Sequence, residues 1–139
     1  MNVIFDTDPS PDDAVAFLAA LASPEDLRVL AITTVAGNVP LELTSKNARK
    51  QLELAKPSDI PVYAGAAAPL VRPLVTAEHV HGRTGFDGYD LPEPETPLSD
   101  GFAPEVIVEL VMSRPAHAVT LCCLEIGRAS CRERVCYAV

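Results

Sequence analysis

Short apolar runs alternate with amphipathic stretches along residues 1–124. Runs rich in Val, Ile, Leu and Thr predict four strands, which span Asn2–Phe5, Leu27–Val35, Ile60–Ala64 and Ala118–Leu124. Apolar positions at helical spacing predict three helices, which run from Pro11 to about Ala22, from Pro40 to Ala55 and from Phe102 to Ser113. Because strands and helices alternate, we expect right-handed crossovers and an α/β fold, with a mostly parallel sheet and flanking helices.

The polar segment after the first predicted strand carries several helix-start signals. Ser10 is the predicted N-cap and Pro11 occupies the first helical position. Asp12 and Asp13 follow in the first turn, where carboxylates interact with the positive end of the helix dipole. Ser10 and Asp13 have the spacing of a capping box, with Asp in place of the usual Glu. The sequence therefore predicts a sharp strand-to-helix turn at Asp8.

Four features of the chain follow the ends of predicted strands. They are the segment Asp6–Asp13, the pair Gly37-Asn38, the Pro- and Gly-rich connection of residues 65–100, and Leu124. Loops as long as this connection are usually functional or disordered. In parallel sheets, ligands bind outside the carboxyl ends of the strands. We therefore expect all four features to meet at one edge of the sheet and to form one site.

Composition limits the classes of protein and of partner. The length of 139 residues suits one domain, and 48% hydrophobic with 22% charged residues suits a packed core. A net charge of −8 without a Lys/Arg stripe argues against binding to nucleic acid. The longest apolar run, Ala14–Ala22, is too short to cross a membrane.

The N-terminus and the cysteines bear on the compartment. Met1 to Asp6 lacks the basic and apolar regions of a signal peptide, so we expect a cytoplasmic protein. The four cysteines all follow residue 121 and form no C-x-x-C pair, which gives little support to a zinc or redox motif.

Three aspartates around the first turn, Asp8, Asp12 and Asp13, require a physical explanation. Carboxylates about 4 Å apart repel each other by about 4 kcal/mol at a surface-like dielectric. A helix N-terminus offsets only about 0.3–1 kcal/mol of this repulsion. Convergence therefore requires a cation, and oxygen ligands without His or Cys favour Ca²⁺ or Mg²⁺ over zinc. The alternative is that all three are ordinary solvated turn and first-turn residues.

Three segments resemble, in order, the landmarks of the inosine-uridine preferring nucleoside hydrolases. They are Val3–Ala14, Thr33–Val39 and His81–Gly88. The resemblance implies a nucleoside hydrolase-like, Rossmann-like fold that cleaves the N-glycosidic bond of ribonucleosides to ribose and a free base. It also implies a bound Ca²⁺, for which Asp8, Asp13 and the main-chain carbonyl of Leu124 are the matching ligands.

The same resemblance implies roles at the substrate. Asp8 would accept a proton from the attacking water, and Asp12 would contact the water or the ribose hydroxyls. Asn38 matches a ribose-contacting asparagine, and His81 matches a histidine near the leaving base. Without the resemblance, Asn38 alone is interpreted as a turn residue and His81 as a solvated loop residue. Family members often form homo-oligomers, which we expect of the parent protein.

The sequence departs from the family pattern in two respects. Ser10 stands where the family usually has Gly, and family members are about twice as long, with further ribose- and calcium-binding residues in the second half. From about Glu125 the sequence resembles translated adapter sequence, so we expect residues 1–124 to be the N-terminal part of a truncated hydrolase domain. Residues 125–139 would then be a non-native tail, and the chain alone an inactive or weakly active fragment.

Two other functions remain open at this point. A strand followed by Asp6-Thr7-Asp8 also resembles haloacid-dehalogenase-type phosphatases, in which the first Asp would be the nucleophile and the second an acid/base beside Mg²⁺. That interpretation leaves Asp12 and Asp13 without a role. A non-catalytic calcium-binding module would show stabilisation by metal without turnover.

Overall fold

The computed structural model describes residues 1–56 and 59–124. In these residues the chain forms a four-stranded parallel sheet, which confirms the predicted α/β class. The strand order is β3-β2-β1-β4. The strands are β1 (Asn2–Thr7), β2 (Arg28–Thr34), β3 (Val62–Ala64) and β4 (Val119–Cys123). The expected non-native tail, residues 125–139, lies outside the described residues.

Three of the helices agree with the predicted ones to within one residue at each end. They are α1 (Pro11–Leu21), α2 (Leu41–Ala55) and α4 (Ala103–Met112). A fourth, α3 (Glu78–His81), is a single turn inside the long connection and was not predicted. A turn of four residues has no room for a repeat of apolar positions, so periodicity could not reveal it.

Side chains from both faces of the sheet form the core. On one face, Phe5 and Ile32 pack with Phe17 of α1 and Leu52 of α2. The Phe5 and Phe17 rings meet edge to face with centroids 5.2 Å apart. On the other face, Ile4 and Ala31 pack with Ile107 of α4. Helices therefore cover both faces, and the carboxyl ends of β1 and β2 remain the edge at which a site can form.

The long connection of residues 65–100 is tied to the fold at its return. The Ser99 N–H donates to the Val62 carbonyl at 2.9 Å.

Among the described residues, no helix has the length and apolar character that a membrane span requires.

Candidate functional site

The turn between β1 and α1 is buried although it is rich in polar groups. Asp8, Ser10 and Asp13 are 2%, 1% and 8% exposed, respectively. Buried carboxylates need hydrogen bonds or opposite charges to compensate for the loss of water. The contacts of these side chains therefore indicate what the turn is built to hold.

Asp8 is held by the loop that follows β2. The Asn38 backbone N–H donates to Asp8 Oδ2 at 2.6 Å, and Asn38 Nδ2 donates to the Asp8 carbonyl at 2.9 Å. Gly37 packs directly against the same carboxylate, because a Cβ atom built on Gly37 would lie 1.9 Å from Asp8 Oδ2. Asp8 and Asn38, two residues that the sequence predicted for one site, are thus in direct contact.

Ser10 connects the other two aspartates. Its backbone N–H donates to Asp13 Oδ2 at 2.9 Å, which confirms the predicted capping box. The Ser10 hydroxyl lies 3.1 Å from Asp13 Oδ2 and in short contact with Asp12 Oδ1. A hydroxyl has one proton, so it satisfies one of these carboxylates at a time.

Asp12 differs from its neighbours because it is exposed at the surface. The hydrogen bond from Ser10 lowers the pKa of the Asp12 carboxyl below its usual value, and the charge of His81 lowers it further. The side chain therefore stays ionised above the ordinary carboxyl pKa of about 3.9. His81 acts electrostatically on the turn, as expected if both belong to one site.

The segment around His81 is a compact turn. His81 ends α3 and is partly buried, and its backbone N–H donates to the Ala77 carbonyl at 3.0 Å. Six residues after His81, the Asp87 carboxylate accepts hydrogen bonds from the backbone N–H groups of Arg83 and Thr84 and from the Thr84 hydroxyl. These bonds lower the pKa of Asp87, the hydroxyl of Thr84 contributing most.

Leu124 and Asp6 lie beside this site. The Leu124 N–H donates to the Asp6 carbonyl at 2.8 Å, which places Leu124 directly after β4 at the carboxyl edge of the sheet. The Asp6 side chain is 1% exposed, and its Oδ1 accepts a hydrogen bond from the Thr33 hydroxyl at 2.7 Å. A nucleophile that attacks a phosphate ester must be accessible, so this burial is unfavourable for the phosphatase interpretation.

The carboxylate oxygens at this site are suitable ligands for a hard cation, but the site offers only a few of them. Asp13 forms no ion pair with any described residue, and its Oδ1 accepts no hydrogen bond from them. This oxygen is the kind of ligand that Ca²⁺ prefers. The described part of the chain contains no group of three or more His, Cys, Asp or Glu side chains arranged for a metal. Asp8 and Asp13 thus remain the predicted carboxylate ligands, short of the roughly six to eight oxygens that Ca²⁺ takes.

Some residues at the site were not predicted from the sequence. Gly37 was predicted only as part of the loop after the second strand, without a contact of its own, but it supplies the space for the Asp8 carboxylate. Asn47 of α2 was predicted only as part of a helix, but it is 4% exposed and its Nδ2 donates to the Thr84 carbonyl at 2.8 Å. Both depend on contacts between distant segments, which a local pattern does not reveal.

The comparison with known families decides the family of the chain. The family profile described as "Inosine-uridine preferring nucleoside hydrolase" matches residues 3–126. The chain belongs to this family. Similarity extends to an uncharacterised protein of Schizosaccharomyces pombe, which is 47% identical over 122 residues and is matched over 88% of this chain and 39% of its own length.

Two functionally named proteins match over the same region. The pyrimidine-specific ribonucleoside hydrolase RihA of Salmonella typhi is 46% identical over 121 residues, which cover 87% of this chain and 38% of RihA. A solved plant nucleoside hydrolase, PpNRh1, superimposes with a TM-score of 0.81 and 38% identity, over 88% of this chain and 39% of its own. The chain thus spans about 39% of the length of such relatives. Because these matches are nucleoside hydrolases, the phosphatase and binding-module interpretations gain no support from them.

Proposed function

We propose that the protein containing this chain hydrolyses the N-glycosidic bond of ribonucleosides with the help of Ca²⁺. The observation that carries the proposal is the burial of Asp8 and Asp13 at one edge of the sheet. Asp8 is fixed there by the Gly37-Asn38 loop and Asp13 by Ser10. Two carboxylates held away from water at one edge of the sheet suit a reaction with an oxocarbenium-like transition state, because their negative charge stabilises the positive charge that develops on the sugar.

Asp8 and Asp13 would hold the ion, and the Leu124 carbonyl would be a third ligand. When bound, Ca²⁺ would supply a lowered pKa for the attacking water and a fixed position for the sugar diol. The hydrogen bond from the Asn38 N–H to Asp8 Oδ2 would hold this carboxylate in place as the base that takes the proton from water. In this assignment Asp8 is both a ligand and a base.

Asp12 and Asn38 would contact the ribose. Asp12 is exposed and ionised, so it can accept hydrogen bonds from sugar hydroxyls. Asn38 donates one amide N–H to Asp8, which leaves its Oδ1 and a second N–H for a hydroxyl group. The contact with Asp8 fixes the orientation of the amide, so that its remaining groups have a defined direction.

His81 would give a proton to the departing base. A purine or pyrimidine leaves more readily when it is protonated, and the unperturbed pKa of histidine lies close to neutrality. The charge of His81 also lowers the pKa of Asp12, so an interaction between the proposed acid and the proposed sugar-binding carboxylate is part of this assignment.

The chain by itself should have little activity. It offers two carboxylates to an ion that takes about six to eight oxygens, so we expect weak calcium binding and slow turnover. We also propose that the parent protein acts in the cytoplasm in nucleoside salvage, as a homo-oligomer. The specificity in the name of RihA makes uridine and cytidine the first substrates to test.

Release of ribose from nucleosides tests the proposal. The assay compares the full-length protein that contains this chain, its Asp8→Asn variant and the isolated 139-residue chain, each with excess Ca²⁺ and with a chelator. We expect chelator-sensitive turnover by the full-length protein and a loss of at least about 10²-fold in Asp8→Asn. Rapid turnover by the isolated chain would contradict its proposed inactivity. Calcium-dependent stabilisation of the full-length protein without any turnover would instead support a binding module.

A further inference from the structure

The segment that carries His81 is anchored to the rest of the fold at both ends. Before it, the Ala77 N–H donates to the Asn38 carbonyl at 3.0 Å, which ties the start of α3 to the loop that holds Asp8. After it, the Asn47 side chain of α2 donates to the Thr84 carbonyl at 2.8 Å. The first anchor joins two backbone groups, whereas the second uses the side chain of Asn47. A substitution can therefore remove the second anchor and keep the first.

The segment between these anchors behaves as one unit. The Asp87 carboxylate ties the backbone N–H groups of Arg83 and Thr84 together, and the Gly85 N–H donates to the Gly82 carbonyl at 3.3 Å. A Cβ atom on Gly82 would lie 2.3 Å from the Asp87 carboxyl carbon, so the turn is closely packed on itself. Movement of Thr84 is therefore transmitted to the residues that precede it, including His81.

The contact between Asn47 and the turn is close and buried. Asn47 is 4% exposed, and a Cβ atom on Gly85 would lie 3.0 Å from Asn47 Nδ2. Gly85 has φ +79°, a left-handed conformation that favours glycine. A side chain at Gly85 would thus be strained and would also press on Asn47. The turn is shaped to bring its backbone against this amide.

Four other polar side chains of α2 hold a different part of the connection. Lys50 bonds to the Leu91 carbonyl, Arg49 to the Thr96 carbonyl, and Glu53 to the Thr96 N–H. Lys46 pairs with Glu93. In the described part of the chain, Asn47 is the one α2 side chain that hydrogen-bonds to residues 78–87. Loss of the Asn47 amide should therefore release the turn at His81, while residues 91–96 of the connection stay attached to α2.

We infer that Asn47 is a positioning residue, which sets the place of His81 at the leaving base by holding the Thr84 carbonyl. This inference rests on the proposed function, in which His81 protonates that base. Without the amide, Thr84 would lose its only described side-chain partner on α2, and His81 would no longer be held at a fixed distance from the substrate.

The leaving group of the substrate separates a positioning role from a structural one. Hydrolysis of uridine or inosine needs a proton at the base, whereas 4-nitrophenol leaves as a stabilised anion without one. If His81 loses its alignment, hydrolysis of nucleosides should therefore become slower, whereas hydrolysis of 4-nitrophenyl β-D-riboside should not. General damage to the fold or to the Asp8 site slows both substrates equally.

The experiment measures kcat and KM for uridine, inosine and 4-nitrophenyl β-D-riboside in the full-length protein that contains this chain. For Asn47→Leu, which keeps the size of the side chain and removes the donor, we expect kcat for the nucleosides to fall about 10- to 100-fold. We expect kcat for the riboside to change by less than about twofold, and KM to change little for either class. Arg49→Ala, which releases only the return of the connection, is the matched control and should alter none of these values by more than about twofold.

If the Asn47→Leu result differs from the expected one, the variants His81→Ala and Asp8→Asn show whether the positioning role or the proposed function has failed. His81→Ala should reproduce the selective loss, and Asp8→Asn should abolish turnover of both substrates. An Asn47→Leu variant that slows both substrates alike, or neither, overturns the positioning role. Unaltered turnover in Asp8→Asn overturns the proposed function itself.

A second variant and a second measurement apply where Asn47→Leu does not fold or no substrate is turned over. Gly85→Ala disturbs the same contact from the loop side and should give the same selective loss. In ¹H–¹⁵N spectra of the 139-residue chain, either variant should shift the His81 ring signals and speed exchange of the backbone amide at residue 85, while the His117 signals stay unchanged. Unaltered His81 signals and unaltered exchange of the amide at residue 85 overturn the inference without reference to activity.

Discussion

Replacing Gly37 with alanine should displace the Asp8 carboxylate from its site. A Cβ atom at residue 37 would lie 1.9 Å from Asp8 Oδ2 and 2.7 Å from Asp8 Cγ. Real Cβ atoms keep about 3.0 Å or more from other heavy atoms, so the carboxylate oxygen has to move by at least about 1.1 Å. Gly37 does not have a positive φ, so alanine adds no backbone strain and the steric contact alone is tested.

The size of the effect follows from what Asp8 loses by moving. Its hydrogen bond from the Asn38 N–H, 2.6 Å long, involves a charged group and contributes about 1.5–3 kcal/mol. We therefore expect unfolding free energy to fall by about 1–3 kcal/mol, as for other overpacked sites. Calcium affinity should fall at least about tenfold, since 1.4 kcal/mol corresponds to a factor of ten. A misplacement of about 1 Å can cost about 10²-fold in rate.

The assay is calcium titration by calorimetry, together with chemical denaturation, in the full-length protein that contains this chain. Gly65→Ala is the control, because its Cβ atom would lie 2.8 Å from the Thr34 carbonyl oxygen and touch no candidate ligand. It should lower stability by a similar amount and leave calcium affinity unchanged. A folded Gly37→Ala variant with the calcium affinity and turnover of the wild type would refute the assignment of Asp8 to the metal.

Three further predictions concern the metal, pH and the core. Asp13→Asn should weaken calcium binding in calorimetric titrations more than Asp12→Asn, because Asp13 is the buried proposed ligand and Asp12 is exposed; equal losses would contradict this. Hydrogen bonds, chiefly from the Thr84 hydroxyl, lower the pKa of Asp87. The stability that this carboxylate contributes is therefore complete above about pH 3.9, the pKa of an unperturbed Asp, and is lost as the pH falls through the lowered pKa. Amide exchange in the turn should show that loss, and Asp87→Asn should remove the pH dependence. Phe17→Ala should lower the free energy of urea unfolding by about 3–5 kcal/mol, because this ring is 1% exposed and packs on a second aromatic ring; a loss below about 1 kcal/mol would contradict the core assignment.

The sequence predicted the strands and long helices because their signals are local. Val, Ile and Thr in β2 and the Ser10-Pro11 start of α1 act within a few residues, and the structure agrees at both places. The alternation of strands and helices then predicted the parallel sheet, because a helix between two strands returns the chain to the end at which the first strand began. The short helix α3 escaped prediction because its four residues depend on a loop tied down elsewhere.

The candidate site was predicted in its residue types and only partly in its contacts. The meeting of Asp8 with Asn38 followed from the rule that ligands bind at the carboxyl ends of strands. The exposure of Asp12 was not foreseen, since three neighbouring carboxylates in the sequence do not reveal which of them points inward. Asn47 was overlooked for a related reason, because its partner Thr84 lies in another segment and accepts through the backbone.

The arrangement of these contacts explains how a site can be assembled from turns and loops. Asp8 and the turn after His81 are fixed by partners on other elements, the Asn38 loop and Asn47 of α2, whereas Asp13 is fixed within its own helix start by the N-cap Ser10. The loop that holds Asp8 also accepts the hydrogen bond that starts α3, so the proposed base and the proposed acid share one support. A change that moves Asn38 should therefore disturb both ends of the glycosidic bond, whereas a change at Asn47 should disturb only the leaving base.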